Sequence, residues 1–147
     1  MEAIYPYAHI IHLILGIIFL GYVFSDLAVI SALKDKFTKE TQQEINQILG
    51  KRSFKIFPLT LLFLVLTGGM MMSKYINSDA GFFETDLQKI LVFKIILVLI
   101  IASGVLSNLY KKFTKKKKSN FMQNHFHKLV IILGLLIVIA AKTMFLV

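Results

Sequence analysis

The chain holds 147 residues, 56% of them hydrophobic, with 17 Lys+Arg against 8 Asp+Glu for a formal charge of +9. A mean hydropathy of +0.73 with 17% charged residues, where a soluble domain carries roughly 25%, excludes an ordinary water-soluble globule and points to a membrane. The absence of cysteine excludes a disulfide scaffold, a zinc–thiolate site and a Cys-ligated iron–sulfur cluster.

Four apolar segments follow in order: Tyr7 to Leu33, Ile56 to Ser73, Ile90 to Tyr110 and Leu129 to Val147. About 20 apolar residues cross the hydrocarbon core of a bilayer. The expected fold is therefore all-α, an integral membrane four-helix bundle forming a single transmembrane domain over residues 1–147. Its helices should lie near 5–33, 54–75, 87–111 and 124–147. The first segment reads as a retained helix, because Glu2 and no positive charge precede it and its apolar run exceeds a signal h-region. Pro6 suits a first helical turn, and Pro58 is expected early in the second helix, where a missing N–H costs least. In the connection 34–53, Phe37, Ile45, Ile48 and Leu49 are spaced among charges, which predicts a short helix lying on the membrane surface.

Orientation follows from the loop charges. The first loop carries Lys34, Lys36, Lys39, Lys51 and Arg52, with Lys55 at its edge; the third carries Lys111, Lys112, the run Lys115 to Lys118, and Lys128. The second offers Lys74 and Lys89 against Asp79, Glu84 and Asp86. Positive loops stay inside. Loops one and three are expected in the cytoplasm, with both termini periplasmic in a bacterial inner membrane. The lysine run reads as an orientation signal with some attraction to anionic lipid, not as a nucleic-acid site.

Ionisable groups cost about 2.5–3.5 kcal/mol each at the centre of an inserted helix, so their positions carry information. In the first helix His9, His12, Gly16, Phe19, Val23 and Asp26 are spaced by threes and fours and share one stripe. That stripe is expected to face the bundle, with Leu13, Leu20 and Leu27 toward lipid; the plainer alternative has the histidines reaching headgroup water. In the second helix Ser53, Phe57, Thr60, Leu64, Thr67, Met71 and Lys74 share a stripe, and Gly68–Gly69 beside it would admit a close backbone or a flat ligand. Met70, Met71 and Met72 follow. With Met1 and Met144 they gather at the end expected to be periplasmic. Thioether and imidazole form a soft ligand set for Cu(I) or for haem with His/Met ligation, although methionine also fills gaps in packed bundles.

Lys94 and Lys142 lie in the third and fourth helices at the same depth as His9, His12 and the methionines. Either lysine could snorkel outward. Together with an imidazole they also suit an anionic or metal-bearing ligand, such as a tetrapyrrole with its propionates. At the opposite end Asp26 is expected to pair with Arg52 or Lys55 as a structural ion pair, with a lone-carboxylate proton relay as the alternative. His125 and His127, beside Lys128, are expected to be solvated.

His12, Thr67-Gly68-Gly69, Lys94, Asn108-Leu109-Tyr110-Lys111-Lys112-Phe113 and Lys142 with Phe145 stand in an order that resembles the HemJ-type protoporphyrinogen oxidases. The same order is similar to the related membrane domain of CopD-type copper-resistance proteins. The resemblance spans nearly the whole chain. It implies a helical bundle in the inner membrane and, for the HemJ type, haem b and oxidation of protoporphyrinogen IX, with His12, Lys94 and Lys142 carried over. The chain reads as a diverged member, with no Trp, Phe24-Ser25-Asp26-Leu27 in place of a Tyr-Leu-Pro-Arg-like stretch, Val92 in place of a His and Thr143 in place of a Pro.

Three functions follow as expectations. The first is a haem b-binding redox protein with a cofactor site of His9, His12, Gly16, Lys94 and Lys142. The second is a copper-handling membrane protein whose metal ligands are His9, His12, Met70, Met71 and Met72. The third is a cofactor-free structural or accessory bundle. The implied partners are the lipid bilayer, a tetrapyrrole, a quinone or a copper ion, and a second copy of the chain in a homo-oligomer. No nucleotide loop, catalytic triad or zinc motif is present in the sequence.

Overall fold

The structure is a computed structural model that describes residues 4–77, 79–114 and 125–146. Within them the elements are α1 (Tyr5–Phe24), a π-helical turn (Ser25–Ile30), α2 (Ser31–Lys34), α3 (Lys39–Met72), α4 (Asp86–Phe113) and α5 (Phe126–Thr143). The one extended contact is an isolated bridge between Asn77 and Gly81. Met1 and the run Lys115 to Lys118 lie outside the described residues. Among the described residues four helical stretches are long and apolar enough to cross a bilayer, the first being Tyr5–Lys34 with α1, the π-turn and α2 continuous. This is a multi-pass membrane protein with an all-α four-helix bundle.

Capping chemistry sets the helix starts. Thr38, in extended conformation, accepts from the Thr41 N–H to open α3. Gln42 Nε2 donates to the carbonyls of Lys34 (2.8 Å) and Phe37 (2.9 Å), tying the end of α2 to the start of α3. At α4, Thr85 and Gln88 form a reciprocal capping box.

The bundle closes as a square: α1 lies along α3, α4 along α5, and α1–α5 and α3–α4 contacts complete it. Phe19, Val23, Phe57, Leu61, Ile101, Val105, Phe126 and Val130 fill the centre, with the Phe19 and Phe57 rings 4.4 Å apart. Outside, Ile10, Leu13, Ile17, Leu99, Leu106 and Ile139 are exposed apolar groups, the surface lipid requires.

Three expectations change. The helix foreseen over 34–53 exists from Lys39, but it runs unbroken into the second span as one 34-residue helix. Its sequence over 39–53 is dominated by Lys, Glu, Gln, Ile and Leu, with nothing to stop propagation. Pro58 is consequently interior, and it offers no N–H to the Phe54 carbonyl. Leu20 and Leu27 are half-buried against the core, not turned to lipid. The reason at Leu20 is Gly134 on α5, where a Cβ would collide with the leucine methyl.

Candidate functional site

The inward stripe of α1 meets the inward stripe of α3 near their N-terminal and C-terminal ends respectively. His12 Nδ1 lies 2.8 Å from Thr67 Oγ1, and Thr67 Oγ1 donates to the Phe63 carbonyl at 2.7 Å. A hydroxyl has one proton. With that proton on Phe63, Thr67 accepts from His12 Nδ1, the arrangement in which Nε2 carries the ring's lone pair. Gly68 permits the approach: a Cβ there would sit 3.2 Å from His12 Cε1. Around Gly16 and Gly69 the equivalent positions meet open space.

Lys94 on α4 is half-buried, and its Nζ donates to the sulfur of Met144 at 3.6 Å. Met144, 3% exposed, follows the end of α5. Above these groups sits a belt of aromatic rings. Tyr5 and Tyr75 share a hydroxyl–hydroxyl hydrogen bond of 3.2 Å, Tyr75 packs edge-on against Phe145, and Lys74 lies 4.7 Å from the Tyr5 ring centre. A cavity of about 570 Å³ opens between α1 and α3 just outward of His12, lined by Tyr5, Ala8, Gly69, Met70 and Ser73 among others.

The structure joins His12 with Thr67 and Gly68. It also separates groups that the sequence placed together. His9 is exposed, beside the Tyr5 ring. Lys142 is exposed on the last turn of α5. Met70 is 51% exposed at the cavity wall, Met71 and Met72 are half-buried, and the thioether engaged by a polar group is that of Met144. Among the described residues no three His, Asp or Glu side chains converge as a metal site would require.

At the Lys-rich end the ion pair differs from the one expected. Asp26 Oδ2 meets His127 Nδ1 at 2.5 Å, and neither Arg52 nor Lys55 reaches it among the described residues. The π-turn beginning at Ser25 carries Asp26 toward α5, whose first turn holds His127 against the Phe57 ring. His127 is therefore half-buried and paired, not solvated. Tyr22 and Ser53 hydrogen-bond through their hydroxyls one turn deeper.

Sequence reading also missed Gln88. Only 3% exposed, it donates to the carbonyls of Tyr75, Ala80 and Gly81 and accepts from the N–H groups of Glu84 and Thr85, clamping the loop that roofs the His12 end. The Thr85-x-x-Gln88 spacing was the available signal. The chain matches no family model, no curated protein and no solved structure.

Proposed function

We propose that this protein binds haem b in the bacterial inner membrane and acts in electron transfer, as a diverged relative of the HemJ and CopD group. The observation that carries the reading is the His12–Thr67–Phe63 hydrogen-bond chain. A metal-ligating histidine donates its second ring N–H to an acceptor that fixes ring and tautomer; Thr67, 2.8 Å from His12 Nδ1, is positioned to be that acceptor.

The donor set favours haem over a bare ion. Among the described residues no three His, Asp or Glu side chains converge, and the methionines of the expected copper set are spread, Met70 exposed and Met71 and Met72 half-buried, short of the ligands that a bare copper or zinc ion takes from protein, whereas haem brings four of its own. The half-buried Lys94 ammonium on α4 would repel Cu(I) and would attract a propionate. Gly16 and Gly69, open on the side where a Cβ would stand, leave backbone accessible to a flat ring. When bound, haem supplies one-electron chemistry; the residues of this chain orient its ligand, balance its charge and wall it from lipid. The excess of Lys and Arg at the opposite end supports placing that end in the cytoplasm and the His12 end near the periplasm.

The test is an absorbance spectrum and metal analysis of the purified, detergent-extracted protein. A Soret band with stoichiometric iron, lost in His12→Ala and kept in His9→Ala, is the expected result. A colourless protein from haem-replete cells, or copper without iron, overturns the reading.

A further inference from the structure

A second site lies at the Lys-rich end, where a cavity of about 800 Å³ opens between the π-turn, α2, α3, α4 and α5. Its character is mixed in a specific way. Lys34, Lys51 and Lys112 stand on its lining, and its apolar wall includes Phe54, Phe57, Leu109 and Phe126. The polar groups deeper in are acceptors. Asn108 Oδ1 is buried and has no hydrogen-bond partner among the described residues. The Phe54 carbonyl lacks its helical donor because Pro58 stands four residues on. Asp26 adds a carboxylate held by His127. A buried acceptor left without a donor costs about 1–3 kcal/mol, so a ligand carrying hydroxyl protons would relieve a penalty that the protein alone bears.

The requirements on a ligand are then negative charge for the three ammonium groups, hydroxyl donors for Asn108 and the Phe54 carbonyl, and an apolar portion for the aromatic wall. We infer that this cavity is a binding site for the headgroup of an anionic phospholipid with free hydroxyls, a glycerol-bearing phosphodiester drawn from the adjacent leaflet. Its phosphate sits among Lys34, Lys51 and Lys112, and its hydroxyls donate to Asn108. This inference does not depend on the haem reading. From His12 to Asp26 is fourteen residues of helix, about 21 Å, and Phe19, Val23, Phe57 and Leu61 fill the interval.

The test is native mass spectrometry of the full chain released from detergent with one phospholipid added at a time. Phosphatidylglycerol should be retained as a single copy at least about tenfold more than phosphatidylcholine. It should also exceed phosphatidylmethanol, which has the charge without the hydroxyls. Lys51→Gln and Lys112→Gln, both on exposed side chains, should each lower retention about fivefold. Asn108→Leu should erase the preference for phosphatidylglycerol over phosphatidylmethanol. Equal retention of all three lipids, or lysine variants that retain as much as the parent, overturns the proposal. Displacement by soluble glycerophosphoglycerol at equal concentration overturns the bilayer as the source.

Discussion

Thr67 shows how one hydroxyl can determine the chemistry of a residue on another helix. With its proton on the Phe63 carbonyl, its lone pairs favour the His12 tautomer that carries hydrogen on Nδ1. Thr67→Val keeps the shape and removes the acceptor. Loss of such a supporting bond to a metal ligand costs about 10–100-fold in affinity, so the ratio of Soret to protein absorbance should fall by about tenfold under limiting haem, while Thr67→Ser should retain it. The Asp26–His127 pair poses the corresponding question at the other end. It joins α1 to α5 across 101 residues of sequence, and both side chains keep partial contact with solvent, which tempers the energy. A double-mutant cycle of Asp26→Asn and His127→Ala, read as thermal unfolding in detergent, should give a coupling of about 1 kcal/mol. Arg52→Ala and Lys55→Ala, exposed and unpaired with Asp26, should show none.

At the level of elements, periodicity disclosed which side of the first two spans faces inward, except at their outer ends, where His9 and Lys74 are exposed. Phe57, Thr60 and Thr67 are buried and Ser53, Leu64 and Met71 half-buried on α3, as their three-and-four spacing requires. On α1, Phe19 and Val23 are buried with His12, Gly16 and Asp26 half-buried beside them. What periodicity does not contain is which residue of a facing helix stands opposite. His127 meets Asp26, and Leu20 fits against Gly134, through the rotation of α5 relative to α1, a property of the assembled bundle. The continuity of α3 through Pro58 was hidden for a different reason: a helix interior that loses one hydrogen bond can persist when neighbouring helices hold both halves. The loop clamp belongs to this scale too. Gln88→Leu would strand three carbonyls and two N–H groups, and amide exchange over residues 75–85 should accelerate by at least about tenfold. Gln88→Glu should give an intermediate rate, since it keeps the acceptor for Glu84 and Thr85 and loses the donor.

Across the whole molecule, the two polar clusters are separated by a layer with no ionisable group in it: Phe19, Val23, Phe57, Leu61, Ile101, Val105 and Val130. The amphipathic loops on either side differ sharply in charge, with lysine concentrated where α2 meets α3 and where α4 ends. These two facts predict a topology that the chain's lack of cysteine makes easy to test, because any introduced thiol is the sole target. Asp79→Cys, in the loop between α3 and α4, should react with a membrane-impermeant maleimide in intact cells. Lys36→Cys, between α2 and α3, should react only after the membrane is opened. Both positions are exposed, so failure of either cannot be assigned to burial. Labelling of Lys36→Cys from outside would reverse the bundle, moving His12 to the cytoplasmic side and the lysine-lined cavity to the outer leaflet. In that orientation the positive loops would stand on the side where translocation disfavours them, and the headgroups available to the cavity would be those of the opposite leaflet.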